Sequence, residues 1–170
     1  MKTLRTLCAV LLVLSLVLCT SAPAFAVSAQ YGTTQSFLQV LNDEDHRYHY
    51  MGIDDDDFEQ VNVSFAGDNL DDIAVEIYFD PELDSVSMRS WYVISFDESD
   101  LIELLLTVNE LNSDYKYATF VADLSDYSVD VKLDCPLRDD ANAGEIAYDA
   151  LYYIVSIIDE AYPELEIFAK

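Results

Sequence analysis

Carboxylates are the chemistry this sequence offers most freely. Asp54, Asp55, Asp56 and Asp57 run consecutively, and Asp139, Asp140, Asn142 and Glu145 make a second oxygen-rich stretch. Calcium takes roughly six to eight oxygen ligands, so the two stretches raise one reading of the chain, a secreted acidic Ca2+-binding protein. The calcium-loop template fails at Asp54–Asp57, with no glycine at the sixth position and no glutamate closing the twelfth. Four aspartates in an extended chain also alternate direction and do not all face one ion. A solvated turn is the expected role for Asp54–Asp57, and helix-start signals account for Asp139–Glu145. No metal ligand is assigned.

Other reactive groups are sparse. His46 and His49 stand three apart, on opposite faces if the stretch is a strand, so they do not form a zinc pair; one exposed and one partly buried histidine is expected. Cys135 continues the inward alternation of its segment and reads as a buried, inert small hydrophobe. The serines lack a Gly-x-Ser-x-Gly elbow. Four glycines in the whole chain make no phosphate loop. No carboxylate pair is singled out for acid/base work. The expectation is a protein that is not an enzyme and carries no cofactor.

Aromatic residues are the surplus. Twelve tyrosines and Trp91 exceed what a core of this size needs. Tyr115, Tyr117 and Tyr127 flank a hairpin signal, while Tyr148, Tyr152 and Tyr153 fall on the last helical stretch. Large rings with polar tips are enriched at protein–protein contacts. Trp91, Tyr115, Tyr117, Tyr127, Tyr148 and Tyr152 are therefore the candidate partner surface, together with a sheet face.

The elements that would position these residues follow from periodicity. Thr33 or Thr34 can cap a first helix burying Phe37, Val40 and Leu41. His46–Met51 and Phe58–Phe65 are strand candidates separated by the aspartate turn. Ile73, Val75, Ile77 and Phe79 alternate strictly, and Val86, Met88, Ser90, Tyr92 and Ile94 continue the pattern. The connections are too short for parallel crossovers, so an antiparallel meander is expected. Ser95 to Glu98 has capping-box form, with Asp97 and Ser99 as competing caps. The central helix should bury Leu101, Leu104, Leu105, Val108 and Leu111 and break at Asn112–Asp114. Val129, Val131, Leu133 and Cys135 then alternate with a wet face of Asp130, Lys132 and Asp134. A last helix, capped at Asn142, should bury Ile146, Ala147, Ala150, Leu151, Ile154, Ile157, Ile158 and Ala161, and stop at Pro163.

Residues 1–26 stand apart from this pattern. Lys2 and Arg5 precede an apolar run, Leu11–Leu18, and Ala24–Phe25–Ala26 has the small-x-small form of a signal-peptidase site. The run is too short for a stable anchor. Acylation at Cys19 would need a small residue before it, and Leu18 is bulky. A cleavable secretory signal over 1–26 and a single domain over 27–170, secreted or extracytoplasmic, are expected. Cleavage would remove Cys8 and Cys19 and leave Cys135 as the one thiol, so no internal disulfide forms. It would also remove two of the eight basic residues and none of the 33 acidic ones, in a chain whose net charge is −25. Such a surface repels phosphate backbones and anionic lipid, which argues against nucleic acid and membrane as partners.

The segments Asn109–Asn112, Lys116–Val121, Val129–Leu137 and Asp159–Leu165 resemble the YbjN family of bacterial proteins, best from Leu101 onward. The resemblance implies an α+β fold of type III secretion chaperone-like form, an antiparallel β-sheet with helices packed on it, in the order α-β-β-β(-β)-α-β-β-α. It also implies a sensory-transduction or stress-related regulatory role exercised through protein contacts, with a protein partner or a second copy in a homodimer, and it brings no catalytic residues. Two features depart from it. The family's regulators are cytoplasmic, whereas this chain begins like an exported one. Four strand candidates precede the central helix where three are wanted, so His46–Met51 or Phe58–Phe65 is expected to be short or irregular.

Overall fold

A computed structural model describes residues 29–82, 84–138 and 141–170. The expected export signal and its cleavage site lie outside them, as do Asp139 and Asp140. The chain runs α1 (Gly32–Asp43), β1 (Tyr48–Ile53), β2 (Glu59–Phe65), β3 (Ile73–Asp80), β4 (Ser85–Ser95), α2 (Leu101–Asp114), β5 (Thr119–Asp123), β6 (Ser128–Pro136) and α3 (Ala143–Leu165). All strand pairs are antiparallel, in one six-stranded sheet of order β1-β2-β3-β4-β6-β5. The expected α+β class and element order hold, with all four early strands present. The irregular one is β1, whose register slips between Tyr50 and Gly52.

Register explains why one sheet face is the core. Val61, Ile77, Met88 and Leu133 stand side by side across β2, β3, β4 and β6, and each is buried. One residue along, Asn62, Glu76, Arg89, Lys132 and Thr119 form the row on the other face across five strands. The period of two separates apolar from polar. α3 lies over β3, β4 and β6 with α1 beside it, and α2 packs on edge strand β5. The α3 stripe Ala147, Ala150, Leu151, Ile154, Ile157, Ile158, Ala161 and Leu165 is buried at helical spacing. Burying one such aliphatic side chain contributes about 2 kcal/mol. α1 meets α3 closely at Gly144, where a Cβ would come within 2.6 Å of the Ser36 carbonyl carbon.

Several local expectations fail, each for a tertiary reason. Neither Thr33 nor Thr34 caps α1: Tyr31 is the N-cap residue and Thr34 is buried inside the helix. The carboxylate at that helix end comes instead from Glu59 on β2, which accepts from the amides of Gln30 at 2.6 Å and Tyr31 at 3.0 Å. Ser95 ends β4 opposite Ser128 and makes no capping box; a short 3-10 turn, Glu98–Asp100, leads into α2. Asn142 does sit at the N-cap of α3, without a side-chain cap hydrogen bond. α2 continues through Asn112–Asp114, and Leu105 is exposed because the buried stripe is Leu104, Val108 and Leu111, with Leu101 partly buried against the core. Ile146 is partly buried rather than central.

Pro163 does not end α3, which runs two residues further. Proline removes the donor that the Asp159 carbonyl would receive, and Asn69 Nδ2 donates to that carbonyl at 3.0 Å in its place. On β4 the register slips between Ser90 and Ile94. This bulge turns Tyr92 outward at φ +55° and breaks the expected inward row. Asp130, expected on a wet face, is buried beneath the bulge and accepts from the Tyr92 amide at 3.1 Å, filling the gap in the ladder. Cys135 is half-buried, near the end of β6 rather than in its centre.

Candidate functional site

The structure distributes the six candidate aromatics over separate places. Trp91 sits in the β4 bulge on the open sheet face, 40% exposed, beside the more exposed Tyr92. Its indole N–H donates to Glu76 Oε2 at 2.9 Å, and the Tyr78 hydroxyl donates to the same oxygen at 2.5 Å. Desolvation and the Glu76 carboxylate push the Tyr78 hydroxyl up to about 12. Lys132 Nζ lies 5.5 Å from the Trp91 ring centroid, a cation–π distance. Arg89 bonds Asp134 at 2.7 Å, and the Ser87 hydroxyl donates to that carboxylate at 2.7 Å. This face is a connected polar network carrying one exposed indole.

Tyr117 lies elsewhere, its ring 5.1 Å from that of Tyr153. The pair lines an apolar groove of about 350 Å3 between α3 and β6, with Leu133, Cys135, Ile146 and Ala150. Burial pushes the Cys135 thiol up, the wrong direction for a nucleophile. Tyr148 and Tyr152 line a different cleft of about 320 Å3, with His46, Phe65 and Asp159. There His46 Nε2 and the Tyr148 hydroxyl are hydrogen-bonded at 2.9 Å. Tyr115 is half-buried against Phe120, and Tyr127 packs edge-on to Phe96 at 5.7 Å. Those two belong to the core boundary rather than to a contact surface.

The histidines divide as expected, His46 partly buried and His49 exposed in β1. The aspartate turn uses its own carboxylate: Asp54 Oδ1 accepts from the amides of Asp56 at 3.0 Å and Phe58 at 2.9 Å, and Gln60 Nε2 donates to Oδ2 at 2.5 Å. Desolvation works against ionisation of Asp54, but these donors outweigh it and hold its carboxyl below the usual range. Among the described residues, no group of three or more histidine, cysteine, aspartate or glutamate side chains could hold a metal ion. No helix among them is long and apolar enough to cross a membrane.

Two carboxylates serve the fold with particular economy. Glu59 is fully buried and takes the Tyr50 hydroxyl besides the Gln30 and Tyr31 amides. Burial pushes its carboxyl up, the donors pull it down, and the net position is below the usual range. Asp159 accepts from the amides of Asp68 at 3.0 Å, Asn69 at 2.8 Å and Leu70 at 3.0 Å. These bonds, the Asn69 amide first, hold it below the usual carboxylate range.

Sequence reasoning missed an exposed aliphatic group on α2. Ile102, Leu105 and Leu106 project from α2 at 75%, 45% and 63% exposure. The signal was present, since Leu101–Leu106 is apolar at every position but Glu103. One buried stripe cannot absorb so many apolar side chains on a single helix.

A comparison with family models found no match, and no curated protein matched. Among solved structures, YbjN from E. coli, a proposed transcription regulator, aligns at 12% identity with a TM-score of 0.54, covering 78% of this chain and 93% of its own. At that identity the likeness speaks to the fold alone: this chain is built as a YbjN-like antiparallel α+β structure.

Proposed function

We propose that this protein is a non-catalytic regulatory module of YbjN-like form, exported from the cytoplasm and acting by contacts with other proteins. The observation that carries this reading is the set of large side chains left on its surface: Trp91 and Tyr92 on the bulge, Ile102 and Leu106 on α2, and Tyr117 with Tyr153 over the groove. Exposed aromatic groups are the usual anchors of protein contacts, and adjoining exposed aliphatic groups extend the apolar area such a contact covers. The regulatory part leans on the YbjN neighbour, which is described as a proposed transcription regulator. With a net charge of −25, a regulatory action here runs through proteins rather than through a phosphate backbone.

Photo-crosslinking in the producing cell tests the reading. A photoreactive residue is placed in turn at Trp91, Leu106, Tyr117 and Tyr152 of the full chain. Discrete crosslinked protein species from at least one position are expected; none from any position overturns it. Export is tested separately by sequencing the amino terminus of extracytoplasmic material, where Val27 is the expected first residue.

A further inference from the structure

We propose that the outward stripe of α2, formed by Ile102, Leu105 and Leu106, docks a basic amphipathic helix of another polypeptide. The proposal rests on the contact-module reading and names the surface and the chemistry of its partner.

The helix is apolar on two sides and covered on one. Leu104, Val108 and Leu111 face inward. At 100° per residue, Ile102 and Leu106 fall nearly opposite Leu104, with Leu105 beside them. The spacing i, i+3, i+4 joins the three into one ridge. A second helix receives such a ridge between its own side-chain rows.

Charge selects the partner. Glu103, Glu110 and Asp114 share one flank of the ridge, all exposed. Glu98, also exposed, lies in the turn that precedes α2. Lys170 approaches Asp97 at 3.9 Å, so the acidic rim proper starts at Glu98. From position 97 to 115 the sequence contains no lysine or arginine. A second copy would set this acidic flank against its equal, in chains that each carry −25. A helix with lysine or arginine beside its apolar face meets both the ridge and the rim.

The probe is a synthetic helical peptide of leucine and lysine with leucines at i, i+3, i+4 and i+7. Its controls are the same peptide with glutamate for lysine, and a scrambled leucine–lysine peptide of equal composition. Saturable binding of the patterned basic peptide is expected, weakening as salt rises, with none of the acidic one. The I102S/L106S double variant should lose affinity about tenfold, with an unchanged melting temperature because both side chains are exposed. A Met51→Ser variant, on a different exposed apolar side chain, should bind as the parent does. Equal binding of the scrambled peptide, or undiminished binding by I102S/L106S, overturns the proposal. So does self-association of the protein that I102S/L106S abolishes, since the stripe would then be a contact between copies. Crosslinks from Trp91 or Tyr117 but none from Leu106 would remove this proposal and leave the contact-module reading standing; silence at every position removes both.

Discussion

Pro163 stands one helical turn after Asp159 on α3, and the Asp159 carbonyl that proline leaves without a helical donor receives Asn69 Nδ2 at 3.0 Å. The carboxylate of the same residue holds the amides of Asp68, Asn69 and Leu70. A proline that looks like a helix terminator instead opens one carbonyl to a loop nearly a hundred residues away. Gly67 makes this approach feasible, because a Cβ there would run into the Asp159 carboxylate. The loop between β2 and β3 is thus pinned to the last helix by one residue acting through both its side chain and its backbone.

Asp159→Ala should release that loop without unfolding the sheet. The expected signature is faster hydrogen exchange at the amides of Asp68, Asn69 and Leu70, with a modest fall in melting temperature. Gly67→Ala should reproduce it by displacing the carboxylate. Unchanged exchange at those three amides in Asp159→Ala would show that the loop is held by other contacts.

Glu59 should contribute to the acid limb of stability. Its folded-state carboxyl titrates below the usual range, so ionisation favours the folded protein. That contribution is fully present above about pH 4.5 and disappears as pH falls through the folded-state value. Glu59→Gln sets an amide NH2 donor against the donors that Glu59 now accepts from and should cost about 3 kcal/mol at neutral pH, with a shallower acid transition in a pH series of chemical denaturations. At the other extreme, desolvation and Glu59 raise Tyr50 from 10.0 to about 12. The raised value means stability is present below pH 10 and lost as pH rises toward about 12. Tyr50→Phe should remove that alkaline loss.

Gly144 separates α1 from α3 by less than a methyl group requires, since Ser36 backbone atoms lie 2.6 and 2.7 Å from where a Cβ would stand. The obstacle is backbone, which cannot swing aside as a side chain does. Gly144→Ala should therefore destabilise by about 2 kcal/mol through overpacking, since Gly144 lies in the first turn of α3 and little of alanine's helix-interior preference offsets the clash. A melting temperature equal to or above the parent's would mean that α1 shifts freely.

What is legible in the sequence is whatever repeats at short range. The alternation Ile73–Phe79 and the stripe Ala147–Ala161 each specify an element and its inward face, and both fold accordingly. The roles of Glu59 and Asp159 are not legible, because nothing near a carboxylate in sequence names backbone partners 28 and 29 residues away, as for Glu59, or 89 to 91 away, as for Asp159. The β4 bulge is hidden for a related reason. Val86 to Ile94 fits a period of two throughout, and only the pairing with β6 shows two residues too many. Aromatic residues suggest a contact surface from the sequence, but the fold scatters them. The aliphatic excess in Leu101–Leu106 lies in plain view, yet periodicity draws Leu105 into the buried stripe and leaves Ile102 and Leu106 without a role.

Tyr92 supplies the last prediction. It holds φ +55°, a left-handed conformation that costs a non-glycine residue about 1 kcal/mol, and its ring is exposed. Glycine adopts this backbone without penalty but loses more freedom on folding, so the two effects nearly cancel. Tyr92→Gly should leave stability within about 1 kcal/mol of the parent, although an aromatic side chain has been removed. Tyr92→Val, a β-branched residue poorly suited to positive φ, should be clearly less stable than Tyr92→Gly in parallel denaturant titrations. If the glycine variant is the weaker of the two, the ring rather than the backbone holds the bulge in shape. If the order is as expected, a strained backbone presents Tyr92 to solvent beside Trp91 with little return to the fold. Residues kept under strain in this way cluster at functional sites, which makes the bulge a second position to probe by crosslinking.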